Sequence, residues 1–195
     1  MIDPLAFATY SFVMSITPGP NNVMLTASGA TFGFRRTVPH IFGICAGFSA
    51  VLLAVCAGLN VIFTRWPDLQ TVLRWAGAIY LVYLGWQILR SGEAKEGRSP
   101  QPLTLMEAAA FQFLNPKAWV MTVTAAAMFL PHELGFLAAC AYMVAIMAVV
   151  NLPCITVWAL FGSSLRGFLA KPSGRVTFNA MMAVALAATG ITMVI

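Results

Sequence analysis

Charge is scarce in this sequence. Only 9% of its 195 residues are Asp, Glu, Lys or Arg, while 60% are hydrophobic; a soluble domain has about a quarter of its residues charged. So apolar a chain cannot cover its own surface with polar groups, which excludes an ordinary soluble domain and makes the bilayer the natural solvent. The formal net charge of +5 does not point to nucleic acid. The basic residues form neither patch nor stripe and fall in short connections between apolar runs, as membrane proteins place them. A phosphate-cradling G-x-x-x-x-G-K-[ST] loop is missing, which argues against direct ATP hydrolysis. Cys45, Cys56, Cys140 and Cys154 all stand within apolar runs. Their spacing matches neither a zinc site nor a CxxC pair, so they read as small buried hydrophobes, and neither metal nor cofactor is expected. The start, MIDPLAF, has an acid and no basic n-region; its apolar run is expected to stay rather than be cleaved.

A helix needs about twenty mainly apolar residues to cross a bilayer. Such runs are expected near 4–30, 39–64, 69–90, 104–130, 134–165 and 175–195. The second and fifth are the plainest, with no charge from Thr37 to Thr64 or from Leu134 to Leu165. Arg74, near the edge of the third, can snorkel, and Trp66, Trp75, Tyr80, Tyr83 and Trp86 include plausible interfacial anchors. The hydrophilic stretch SGEAKEGRSPQP, Ser91–Pro102, divides the chain nearly in half. Three spans on each side suggest a duplicated unit, and because three is odd the second copy must insert upside down. The expected fold is therefore all-α and integral to the membrane, a single transporter domain over 1–195. It comprises six transmembrane helices as two inverted three-helix repeats, repeat A about 1–90 and repeat B about 104–195, with a cytoplasmic loop at 91–103. The loops after spans one, three and five hold eight basic residues (Arg35, Arg36, Arg90, Lys95, Arg98, Arg166, Lys171 and Arg175) against Arg65 and Arg74 opposite. That bias puts both termini outside the cytoplasm.

Helix breakers recur at matching places. Thr17-Pro18 in span one corresponds to Asn115-Pro116 in span four, each near mid-span, where a break is most costly. Thr or Asn before Pro is a helix-start signature in which the first residue caps and the proline takes the first helical position. Gly19 and Pro20 strengthen the first break. The plain alternative is a proline kink, but two breaks in corresponding spans favour a functional site near the midplane. Inverted repeats would bring the positive ends of both second half-helices together there, a seat suited to an amino acid's carboxylate. Asn21 and Asn22 join this seat. Lys117 follows Pro116, roughly twenty ångströms by helical rise from either end of its span, too far to snorkel. A cation so placed attracts the carboxylate, pairs with an acid, or bonds to broken-helix carbonyls.

Asn151, before Leu152-Pro153, either lines the same cavity or bridges helices. Gly43 and Gly47 give a small-xxx-small face for close packing. Candidates for proton coupling are Glu107, Asp3 and His40, each near an interface, where a solvated charge is the simpler explanation.

With ITPGPNN at Ile16–Asn22, GxxxG at Gly43–Gly47, AGAIYLVYLGWQIL at Ala76–Leu89 and FLNPKAW at Phe113–Trp119, the chain resembles the LysE/RhtB family of amino-acid exporters over nearly its whole length. The likeness is to the branch of homoserine, threonine and cysteine or O-acetylserine efflux proteins. The resemblance implies a bacterial inner-membrane protein of six spans that exports small amino acids or derivatives, with proton exchange as the coupling. Its broken-helix motifs map onto Pro18, Gly19, Pro20, Asn21, Asn22, Asn115, Pro116 and Lys117. Scarce buried acids favour a neutral substrate over a dication such as lysine. Expected partners are that small amino acid and the lipid bilayer, with the oligomeric state left open, a homo-oligomer included. The rival readings are a non-transporting membrane subunit and a six-span thiol–disulfide carrier. The latter needs a cysteine beside the broken-helix proline of each half; Gly19 and Lys117 occupy those places, and only Cys154 adjoins a proline, Pro153.

Overall fold

The computed structural model describes residues 3–58, 65–90, 101–131, 133–169 and 171–194. The far end of the expected second span, 59–64, and most of the expected hydrophilic loop, 91–100 with Lys95 and Arg98, lie outside the described residues. Among the described residues every regular element is a helix: α1 (Pro4–Ile16), α2 (Pro20–Phe32), α3 (Phe34–Cys56), α4 (Pro67–Arg90), α5 (Leu105–Leu114), α6 (Pro116–Phe129), α7 (Phe136–Ser164), α8 (Arg166–Leu169) and α9 (Pro172–Val194). Four stretches are long and apolar enough to cross a bilayer: Phe34–Cys56, Thr71–Arg90, Phe136–Leu169 and Pro172–Thr192. By contrast α1, α2, α5 and α6 have 13, 13, 10 and 14 residues, each short of the ~20 that a crossing needs.

Local chemistry sets the helix ends. Asp3 accepts from the Ala6 N–H at 2.9 Å to cap α1. Thr104 and Glu107 form a reciprocal capping box at the start of α5, which satisfies two orphan N–H groups. Between α2 and α3 the chain turns on Gly33 at φ 83°, a conformation that glycine adopts without strain. Arg166 lies across that turn, its Nη1 2.7 Å from where a Cβ on Gly33 would stand.

The α1–α2 segment runs alongside α7 in the same direction: Phe7 meets Tyr142, Ile16 meets Trp158 and Gly33 meets Arg166. Backbones touch where Gly29 faces Ala159 and Gly162 faces Thr26. The α3 helix runs with α5, Gly43 against Leu105 and Ala108 and Gly47 against Ala109, then packs Val51 and Val55 on Trp119 of α6. In the α4–α9 pair the direction is opposite, with Gly85 at Ala183 and Gly190 at Ala78. Small residues at each contact let the helices approach at backbone distance.

Polarity is distributed inside out. Ile79, Val149 and Leu137 are 65%, 73% and 81% exposed, whereas Gln112, Asn22, Asn115 and Asn151 are buried. An apolar exterior around buried amides suits a protein whose solvent is hydrocarbon.

Candidate functional site

The two breaks arise from one backbone rule: a residue before proline is pushed out of the α region. Thr17 (φ −65°, ψ 141°), Gly19 (φ −174°, ψ −179°) and Asn115 (φ −89°, ψ 105°) are all extended. At Asn115 the expected arrangement is present. Its Oδ1 accepts from the Lys117 N–H at 3.1 Å, and Pro116 opens α6. At the first break it is not, and the sequence expectation needs correcting. Thr17 closes α1, while the restart falls two residues later, with Gly19 as the cap and Pro20 in the first helical turn. The second proline explains the shift, because it keeps Gly19 extended and helix can resume only at Pro20.

Ending α1 there leaves carbonyls without intrahelical donors, and side chains both near and distant in the chain meet them. Asn22 Nδ2 donates to the Ser15 and Thr17 carbonyls at 3.2 and 2.7 Å, and Trp158 Nε1 to that of Ile16 at 3.2 Å. The Lys117 ammonium donates to the Thr17 carbonyl (2.7 Å), Thr17 Oγ1 (3.0 Å) and the Pro18 carbonyl (3.3 Å). These acceptors match the three donors of an ammonium group. Of the three roles open to Lys117 from sequence, bonding to broken-helix carbonyls is the one seen. Gly19 makes room for it, since a Cβ there would stand 2.8 Å from Lys117 Cδ. At the second break Trp119 Nε1 donates to the Phe113 carbonyl at 2.9 Å.

A reciprocal amide pair ties the halves again. Asn21 Nδ2 donates to Gln112 Oε1 at 2.9 Å, and Gln112 Nε2 to Asn21 Oδ1 at 3.1 Å. Gln112 also donates to the Ala108 carbonyl at 3.0 Å.

These residues enclose a cavity of about 20 Å³ whose lining includes Gly19, Pro20, Asn21, Asn22, Asn115, Lys117 and Asn151. Thr17 and Pro18 reach it through the Lys117 ammonium, and Pro116 sits between two lining residues. Phe48, Met121 and Ile155 supply apolar wall. Asn151 Nδ2 also donates weakly to Cys45 Sγ, 3.9 Å away. Among the described residues, no carboxylate lines the cavity. Its volume holds about one water. Sequence reasoning missed Gln112, Ser15 and Trp158. Gln112 was detectable as an amide inside the apolar run FQFL; Ser15, buried with its Oγ unpartnered at the cavity wall, and Trp158 gave no such signal.

The remaining candidates lie elsewhere. Asp3 and Glu107 engage helix N-termini, Gly43 and Gly47 press on α5, and His40 lines a different cavity.

Two interrupted helices that pool polar groups in a buried cavity are the layout of a membrane solute carrier. The chain belongs to the LysE family: the family model for the LysE type translocator matches residues 12–195. It is therefore a multi-pass membrane translocator and not an enzyme. Among its curated relatives are the cysteine/O-acetylserine efflux proteins of Escherichia coli (strain K12) and Shigella sonnei (strain Ss046). Each is 32% identical over 158 residues, 80% of this chain and 80% of the relative. No solved structure matches the chain.

Proposed function

We propose that this protein is a secondary transporter that exports small neutral amino acids or their derivatives across the bacterial inner membrane in exchange for protons. The observation that carries the reading is the union of both helix breaks in one cavity, with Lys117 of the second held by Thr17 and Pro18 of the first. The efflux of cysteine and O-acetylserine named for the relatives supports the direction and the substrate class. The lack of a carboxylate among the described lining residues supports a neutral substrate, since a dication would need one.

In this reading the chain crosses the bilayer six times, α1–α2 and α5–α6 each forming one interrupted span. Pseudo-symmetric contacts support inverted repeats. The broken segment of each half runs beside the second span of the other, α1–α2 with α7 and α5 with α3. The third spans meet reciprocally, Gly85 on Ala183 and Gly190 on Ala78, with the same seven-residue spacing from alanine to glycine in both helices. Arg166 over Gly33, next to Arg35 and Arg36, gathers two basic segments on one side. The positive-inside rule makes that side cytoplasmic and both termini external.

The substrate carboxylate would sit between the N-terminal ends of α2 and α6, where both helix dipoles favour an anion and, at α2, no side-chain cap takes up the first-turn N–H groups. Asn21, Asn22, Asn115 and Asn151 supply hydrogen bonds around it. A one-water cavity does not admit an amino acid, so loading requires the breaks to part and Lys117 to leave Thr17. Lys117 then meets the carboxylate, and the vacated Thr17 and Pro18 oxygens can take the substrate ammonium. The proton carrier is to be sought among Asp3, Glu107 and His40, of which His40 is the buried member. Counterflow in proteoliposomes with a panel of labelled amino acids tests the reading. Neutral amino acids should exchange, and a pH gradient should accelerate them; no flux for any of the panel would overturn it.

A further inference from the structure

His40, on α3, is 1% exposed, and neither imidazole nitrogen has a hydrogen-bond partner. Burying a donor and an acceptor unmet is costly, and such an exception points to a group supplied from outside the chain. His40 is among the residues lining a cavity of about 90 Å³, against about 20 Å³ for the central one. Ser28 and Thr31 of α2, Gln87 of α4 and Gln101 just before α5 also face it, beside the apolar Leu84 and Leu186. Of these, Ser28 is held from behind, its hydroxyl 2.9 Å from that of Thr37, whose Oγ1 donates to the Gly33 carbonyl at 3.0 Å. Among the described residues, no Asp, Glu, Lys or Arg lines it.

The cavity lies on the path that the exporter reading requires. Ser28 is six residues beyond Asn22 on α2, about 9 Å by helical rise. Met24 and Leu186 of this lining belong to an apolar cluster with Leu81 and Phe111, and Asn21 of the central lining pairs with Gln112. In the exporter reading these form the barrier between the two cavities. The cavity borders the end of α2 at Gly33, beside Arg35 and Arg36, which is the cytoplasmic side under the positive-inside rule. Hydroxyl, amide and imidazole groups that both donate and accept, set in an apolar wall, suit a small molecule without net charge.

We propose that this cavity is a second binding station, where the exported neutral amino acid docks from the cytoplasm through a hydrogen bond to His40 before the barrier opens. The station rests on the exporter reading for its place in the path, but its occupancy can be measured separately.

Thr31→Cys, placed in a background lacking the four native cysteines, puts a reporter thiol at the cavity. Its alkylation by a membrane-impermeant maleimide is followed in inside-out vesicles, with O-acetyl-L-serine as the probe. O-acetylserine at about twice its Kd should slow labelling about threefold, as mass action requires when occupancy shields the thiol. His40→Ala should abolish the slowing while leaving the rate without probe unchanged, which shows the cavity still folded. His40→Gln, which keeps donor and acceptor, should retain part of it. Lys117→Met should keep the slowing, because the station precedes the central cavity. Loss of slowing in Lys117→Met with retention in His40→Ala would overturn the station and place the effect at the central cavity. Export of O-acetylserine by the parent without any slowing would also overturn it. Slowing without export would leave the station standing and remove the exporter reading instead.

Discussion

The Lys117 ammonium and Thr17, a hundred positions apart in the chain, share two hydrogen bonds of 2.7 and 3.0 Å. Few contacts so directly join the two halves of the molecule. A charge-assisted hydrogen bond contributes about 1.5–3 kcal/mol, so these two make Lys117 a clasp between the two helix breaks. Lys117→Met is expected to lower the maximal counterflow rate about tenfold or more, the consequence of losing roughly 1.4 kcal/mol of transition-state stabilisation. Thr17→Val, which removes only the hydroxyl, should cost less. Undiminished flux in Lys117→Met at normal expression would remove the residue from the mechanism.

The Asn21–Gln112 pair makes a different prediction, about stability. Gln112 is fully buried, and Gln112→Leu leaves the Asn21 amide without its partner, at a cost of about 1–3 kcal/mol. Adding Asn21→Leu removes the stranded group and should recover part of the loss. A double-mutant cycle on thermal unfolding of the detergent-solubilised protein should give a coupling of about 0.5–3 kcal/mol. Additive losses would show that the two amides do not act as a pair.

The breaks were legible in the sequence because their cause is local: proline acts on its own N–H and on the residue before it. Asn115-Pro116 could be read to the atom. Thr17-Pro18 could not, because Pro20 overrules Pro18 in setting where α2 begins. Four of the six apolar runs were equally legible as continuous spans, since a bilayer imposes length and composition on single segments. Contacts across the halves were not. Nothing near Lys117 in sequence reveals that its ammonium meets Thr17, and Trp158, which reads as one more aromatic in an apolar run, donates to a carbonyl 142 positions away. Gln112 stood between these cases, visible as an amide among phenylalanines but with a partner that only the fold supplies.

Glycine contacts permit a test of packing that leaves the polar site alone. A Cβ on Gly47 would collide with the Ala109 backbone, which moves only if α5 shifts as a whole. Gly47→Ala should therefore destabilise the protein by about 1–3 kcal/mol, as overpacking does. At Gly167 a Cβ meets nothing within 4 Å, and Gly167→Ala in α8 should be neutral or slightly stabilising. Thermal unfolding midpoints in one detergent separate the two; equal midpoints would mean that the α3–α5 approach is looser than backbone contact.

The cysteines decide between solute export and thiol–disulfide transfer. Cys45, Cys56, Cys140 and Cys154 are all free, and none lines the central cavity. A carrier of disulfides cannot work without a thiol, whereas an exporter needs these side chains only for packing. Cys45→Ser keeps an acceptor for the Asn151 amide, and alanine at the other three sites removes one small atom from each contact. The quadruple variant is expected to move O-acetylserine within about twofold of the parent, a change worth less than 0.5 kcal/mol on the rate scale. Loss of flux in that variant, with restoration by returning any single cysteine, would assign the chemistry to a thiol. Retained flux would leave the amides and Lys117 as the groups that handle the solute.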